Sequence, residues 1–185
     1  RAMAARAAGW TLLYELGFAR MEKVIEEAVE TLAGQPEADL VARVEAFFRE
    51  EIADQIRPGA RRAIERHRER GDAVALLTSS SNYLGEQVAD AVGAHHVLSN
   101  AFETDAGGCF TGAPRRPLCF GPGKLEHALQ LVEALDAPLA ECTFYTDSFS
   151  DLPVLERVGH PVAVHPDPRL RRLAQRRGWP IELWS

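Results

Sequence analysis

The sequence predicts an α/β fold: a parallel sheet covered by helices on both faces, preceded by a small all-helical segment. Three observations carry this. From about residue 57 onward, short apolar runs alternate with amphipathic stretches of helical period, which is the pattern of β-α-β units. Before that point only helical spacing occurs. The length of 185 residues, 46% hydrophobic and 26% charged, suits one good-sized soluble domain with a small appendage.

The first part is read as helices. Trp10 to Phe18 supplies an apolar stretch that ends one helix. Met21, Val24, Ile25, Ala28, Val29 and Leu32 recur at helical spacing, and Gly34-Gln35-Pro36 closes that element. Leu40, Val41, Val44, Phe47, Phe48 and Ile52 form a second stripe, which needs a partner surface to bury it. The expected division is therefore a helical unit over 1–56 and an α/β unit over 57–185.

The alternation then runs in order. Residues 58–70 read as a charged helix closed by Gly71, and 73–77 as an apolar strand ending in Thr78-Ser79-Ser80-Ser81. A helix over 83–92 closes at Gly93, and 96–98 is a short strand. Residues 102–112 form two β-like arms around the turn Asp105-Ala106-Gly107-Gly108. A helix follows over 123–135 and a strand over 142–146. Residues 152–158, 162–164, 170–177 and 181–184 continue the alternation.

Composition narrows the function classes. A net charge of −6 argues against a dedicated nucleic-acid binder, whose footprint is basic. The arginines at 169, 171, 172, 176 and 177 spread around a helix and read as solvated surface. Three cysteines without a C-x-x-C pair support neither zinc nor a disulfide framework, and a cytoplasmic setting fits them. No apolar run approaches the roughly 18 residues that span a membrane.

Three groups converge on the carboxyl ends of strands, where open α/β sheets bind ligands. One strand ends in the hydroxyls of Thr78, Ser79 and Ser80. Lys124, one of two lysines in the chain, opens a helix behind Gly121-Pro122-Gly123. A third strand ends in Thr146-Asp147-Ser148-Phe149-Ser150-Asp151-Leu152-Pro153, two carboxylates four residues apart with Asp151 at a helix start. Hydroxyls and amides donate to phosphoryl oxygens, lysine adds a positive charge, and paired carboxylates suit Mg²⁺. Each feature also has a plain reading: capping acids in a solvated loop, and a solvated first-turn lysine with little packing role.

Sharper motifs are excluded. Leu118 and Leu125 occupy the positions where a P-loop needs Gly and Ser/Thr, and no G-x-S-x-G elbow occurs. The spacing from Asp147 to Asp151 is not that of an EF-hand. His95 and His96 read as packing residues, and His160 and His165, which flank the strand near 162–164, as structural by default.

Taken together, the order of elements resembles the haloacid dehalogenase superfamily, in its phosphoserine-phosphatase-like branch with a helical cap and a Rossmann-like core. Ala73-Val74-Ala75-Leu76-Leu77-Thr78-Ser79-Ser80 is similar to the family's second motif, Gly121-Pro122-Gly123-Lys124 to its third, and Tyr145-Thr146-Asp147 through Asp151-Leu152-Pro153 to its fourth. The tail from Val158 to Pro168 and Arg177-Gly178-Trp179-Pro180 also resembles that branch. The family's first motif, Asp-x-Asp, is absent from these 185 residues. The expectation is that it lies upstream of Arg1.

The resemblance implies hydrolysis of a small phosphorylated metabolite, such as phosphoserine or histidinol phosphate, through an aspartyl-phosphate formed on an upstream aspartate. Thr78 and the amides of Ser79 and Ser80 would hold the phosphoryl group, with Ser150 a further polar contact. Lys124 would neutralise nucleophile and phosphate, and Asp147 would ligate Mg²⁺. Asp151 would stand behind them, orienting a metal-bound water or Lys124. The alternative is a non-catalytic phosphate- or partner-binding module without the nucleophile. A receiver-type phosphoacceptor has its acids before the hydroxyl, the opposite of the order here.

Overall fold

The computed structural model describes residues 20–185. The expected helix end at Trp10 to Phe18 lies outside them. Helix α1 covers 20–30 and α2 covers Glu37–Phe47. A wider turn at Phe48–Ile52 and a 3₁₀ turn at Ala53–Gln55 lead out of α2. The α/β part follows with α3 (Pro58–Glu69), β1 (Ala75–Ser81), α4 (Asn82–Val92), β2 (His96–Asn100), β3 (Phe102–Thr104), β4 (Phe110–Pro114) and α5 (Pro122–Ala134). It continues with β5 (Thr143–Thr146), α6 (Leu152–Leu155), β6 (His160–Val164), α7 (Pro168–Arg177) and β7 (Ile181–Glu182).

Local chemistry sets the boundaries. Pro58 occupies the first turn of α3, where its missing N–H costs nothing. Ser81 caps α4 by accepting from the Leu84 amide, and the helix closes on Gly93 in the left-handed conformation. Asp167 caps α7, accepting from the amides of Arg169 and Leu170.

Three elements differ from the sequence expectation. β1 continues past Leu77 through the serines, because Ser81 still pairs with Asn100 after an irregularity in register. At that irregularity the Asn100 side chain donates to the Ser79 carbonyl at 2.8 Å. α6 is a single turn, ending at Leu155, since Phe149–Asp151 form a separate 3₁₀ turn before it. β7 stops at Glu182, and Trp184 instead stacks near Tyr145, ring centroids 5.4 Å apart.

The strands form two parallel half-sheets, β2-β1 and β5-β6-β7. Leu76 pairs with Val97 in the first, and Tyr145 with Val162 in the second. Leu155, Ala163, Leu170 and Ala174 make a buried core against Phe144, Phe149, Trp179 and Ile181. β3 and β4 form an antiparallel hairpin that reaches the helical segment, where the Gly34 amide donates to Phe110 O and the Phe110 amide to Gln35 O. Beside it the Tyr83 hydroxyl donates to Glu37 at 2.5 Å, joining α4 to α2.

Among the described residues β1 pairs only with β2, and β5 only with β6. Between their unpaired edges runs a groove open to both faces. On the α5 side it holds about 340 Å³, walled by Leu131, Val132 and Leu135. On the α3 and α4 side it holds about 300 Å³, walled by Ala63, Ile64 and Val88. Ala75, Leu77, Thr143 and Phe144 border both.

Candidate active site

The carboxyl ends of β1 and β5, with the amino end of α5, bring the expected groups together. Lys124 enters here because α5 is pressed hard against the preceding loop. A Cβ on Gly123 would lie 1.9 Å from the Leu118 carbonyl, so only glycine fits immediately before the lysine. The lysine is 7% exposed and Asp151 is 2% exposed. The Lys124 ammonium donates to Asp151 Oδ1 at 2.8 Å. A solvated first-turn lysine is thereby excluded.

Asp151 is held from several sides. Thr146 Oγ1 donates to its Oδ2 at 2.6 Å, and Ser150 Oγ lies 3.4 Å from its Oδ1. Ser150 in turn meets Ser148 Oγ at 2.8 Å. Asp151 does stand at the cap position of α6, as the sequence predicts, yet its side chain makes no capping bond. Its carboxylate is turned inward to the lysine instead. Buried charges persist when paired and hydrogen-bonded, and this pair is both.

Thr78 reaches the same place through Cys119, which is fully buried. Burial pushes the Cys119 thiol up to about 11, and the Asp151 charge raises it too, while Lys124 and the Thr78 backbone oppose them. The Cys119 amide donates to Asn100 Oδ1 at 2.8 Å, so one buried asparagine supports both the Ser79 carbonyl and the loop before Lys124. The Ser80 amide donates to Thr78 Oγ1 at 3.1 Å. Asn100 and Thr146 were not singled out from the sequence; both are ordinary polar residues at strand ends.

Asp147 differs from Asp151. It is exposed, and its carboxylate has no partner among the described residues. Its position is fixed through the backbone, since its carbonyl accepts from the Asp167 amide at 2.8 Å. Asp167 also accepts from the Phe149 amide at 2.6 Å. Burial alone would raise Asp167, but backbone amides of Leu170, Phe149 and Arg169, with the Arg169 charge, outweigh it and hold the carboxyl below its usual range.

Against Mg²⁺ this donor set divides cleanly. The open carboxylate of Asp147 suits a hard cation, whereas both oxygens of Asp151 are occupied by Lys124 and Thr146. Among the described residues no group of three or more acidic, histidine or cysteine side chains is placed to hold a metal ion.

The haloacid dehalogenase-like hydrolase family matches the chain over residues 1–156. The chain belongs to that family. The phosphoserine phosphatase SerB1 of Mycobacterium tuberculosis (strain ATCC 25618 / H37Rv) is 36% identical over 155 residues, covering 84% of this chain and 50% of that protein. The histidinol-phosphatase of Neisseria meningitidis serogroup C is 27% identical over 171 residues, 91% of this chain and 77% of that protein. The chain thus spans about half the length of the first of these curated relatives. A crystal structure of a protein of unknown function from Bordetella pertussis Tohama I superposes with a TM-score of 0.79 at 31% identity, covering 96% of this chain and 82% of the other. A phosphoserine phosphatase in apo form shares the fold, with a TM-score of 0.65 at 18% identity over 98% of this chain and 84% of that one. For this haloacid dehalogenase-like chain, the comparisons support the fold class expected from the sequence, a parallel α/β core of the hydrolase type.

Proposed function

We propose that this chain carries the phosphate-handling part of a Mg²⁺-dependent phosphomonoester hydrolase acting on small phosphorylated metabolites. Its nucleophilic aspartate would come from a strand outside this sequence. The observation that carries the reading is the buried Lys124–Asp151 pair beside the open carboxylate of Asp147, at the ends of two strands whose facing edges are unpaired. The groove between β1 and β5 is apolar, open on both faces and bordered by free strand edges, which suits one more strand. A strand seated there would end between Thr78 and Asp147.

In this reading each residue has one task. Thr78, with the Ser79 amide, binds phosphoryl oxygens, and the Ser80 amide, which donates to Thr78 Oγ1, would have to turn from the hydroxyl to the phosphate to join them. Lys124 supplies positive charge to the phosphate and the nucleophile, and Asp151 fixes the ammonium in place. Ser150 steadies Asp151. Asp147 is the residue that would hold Mg²⁺, which when bound would neutralise charge developing on the phosphate. Asp151 acts one step behind, since direct ligation would cost it Lys124 or Thr146. Residues 1–56 would form a cap over the core of 57–185, closing the site to water. The names of the relatives make phosphoserine and histidinol phosphate the first substrates to try. The unpaired cysteines fit a reducing cytoplasm.

The test is phosphate release from these two substrates, with Mg²⁺ or with chelator, by the polypeptide that includes the segment before residue 1. Mg²⁺-dependent turnover that vanishes in Asp147→Asn is expected. Full activity of Asp147→Asn at saturating Mg²⁺ would remove the metal assignment, and no turnover of any phosphomonoester would leave a binding module.

A further inference from the structure

Asn100, the last residue of β2, is 2% exposed and so lies as deep as Asp151. The proposed hydrolysis gives Lys124 and Asp151 tasks and leaves this third buried polar side chain without one.

The register of the strands shows why a polar group is needed there. Leu77 of β1 stands opposite Leu98 of β2, and Ser81 opposite Asn100. Thr78, Ser79 and Ser80 therefore share the single partner position Ser99, so β1 bulges just where it carries its hydroxyls. A bulge takes backbone groups off the ladder, and they must find partners elsewhere. Asn100 Nδ2 donates to the Ser79 carbonyl at 2.8 Å, and Asn100 Oδ1 accepts from the Cys119 amide at 2.8 Å. A carbonyl only accepts and an amide N–H only donates, so the side-chain amide has one sense and both its ends are engaged. Aspartate would set an acceptor against the Ser79 carbonyl, and leucine of the same size would offer neither group.

The segment that runs from Cys119 to Lys124 is stiff. The Phe120 amide donates to the Leu118 carbonyl at 2.8 Å, the Gly123 amide to the Phe120 carbonyl at 3.0 Å, and the Lys124 amide to the Gly121 carbonyl at 3.1 Å. Gly121 sits at φ 50, and Gly123 has no room for a Cβ. A displacement of Cys119 is therefore carried to Lys124 rather than absorbed on the way.

Building on the hydrolase reading, we propose that Asn100 is a positioning residue that sets the spacing between the Thr78–Ser80 bulge and the Lys124 loop. It acts through those two segments, fitting both to one phosphoryl group, and itself touches neither substrate nor metal.

The test compares wild type, Asn100→Leu and Asn100→Ser in the polypeptide that includes the segment before residue 1. The substrate is the better of phosphoserine and histidinol phosphate, and inorganic phosphate is the competitive inhibitor. KM and the inhibition constant do not depend on how much of the enzyme is folded, whereas the apparent kcat does. Asn100→Leu should raise both constants about ten-fold, as expected when buried main-chain groups lose their partner. Its kcat should fall about a hundred-fold, at a temperature where circular dichroism shows it folded. Asn100→Ser, which leaves room for a water to bridge the two main-chain groups, should fall between. A structural role alone would lower only the apparent kcat, in step with the folded fraction. That result, or constants at the wild-type value, would overturn the proposal. If Asn100→Leu does not fold, Asn100→Ser decides by the same two constants. If the wild type hydrolyses no phosphomonoester, the hydrolase reading fails, and calorimetric titration with inorganic phosphate decides instead. Weaker phosphate binding by the folded variant would support the spacing role; equal affinity, or no binding by the wild type, would overturn it.

Discussion

Replacing Lys124 by methionine tests the centre of the site as a stability experiment, independent of any substrate. A first-turn lysine reads from sequence as solvated, so its loss should leave the fold alone. Burial reverses that expectation. With Lys124 7% exposed and Asp151 2% exposed, the substitution strands a buried carboxylate that keeps only the Thr146 and Ser150 hydroxyls. Breaking one side of such a pair costs about 3–5 kcal/mol. For a chain of this size each kcal/mol is worth roughly 2–4 °C, so the melting midpoint should fall by roughly 6–20 °C. The Arg177–Glu156 contact at 3.1 Å sets the scale from the other side. Its side chains are 56% and 45% exposed, and its removal should cost under about 1 kcal/mol. Circular dichroism at 222 nm, by heating and in urea, reads both variants. Adding Asp151→Leu to Lys124→Met removes the stranded charge and should recover most of the loss, giving a clear coupling energy in the double-mutant cycle. A Lys124→Met midpoint within a degree of wild type would refute the reasoning, because the carboxylate would then have to be solvated.

Asp167→Ala should cost about 1–2 kcal/mol by removing the α7 cap and the bond to the Phe149 amide. Because the folded carboxyl titrates below its ordinary value of 3.8, this stability is fully present above that value and is lost as pH falls through the lower folded value. Wild-type and variant midpoints should therefore converge in strong acid; a constant gap from pH 7 to pH 2 would contradict it. Gly59→Ala should displace the carboxyl-terminal tail, since the new Cβ would sit 2.4 Å from Trp184 Cβ. A loss of about 1–3 kcal/mol with an altered tryptophan emission is expected, and unchanged fluorescence would argue against the docked tail. At pH 8 iodoacetamide should label the half-buried Cys109 well before Cys119, whose thiol is enclosed and pushed up to about 11; equal labelling rates, read by mass spectrometry of the folded protein, would contradict the buried thiol.

The groove explains which parts of this chain the sequence could and could not convey. Element types and order were legible because apolar period, prolines and glycines report local conformation: α3 begins at Pro58 and α4 closes at Gly93 as expected. The rule that strand ends collect ligand groups pointed to Lys124 and Asp151, which lie 2.8 Å apart. What each carboxylate does was not. Asp147 and Asp151 have the same side chain four residues apart, and only the turn at Phe149–Asp151 sends one outward and the other onto Lys124. Nor did the apolar runs of β1 and β5 say how deeply they would lie. Such runs read as strands buried on both faces. Instead Leu76, Leu77, Phe144 and Tyr145 are all only partly buried, while Val162, Ala163 and Val164 in the neighbouring β6 are buried as the pattern predicts. The difference follows the edges: among the described residues β6 has a strand on each side, and β1 and β5 each have a strand on one side only. On the reading proposed above, a further strand in the seam would bury Leu76, Leu77, Phe144 and Tyr145 as their apolar sequences lead one to expect.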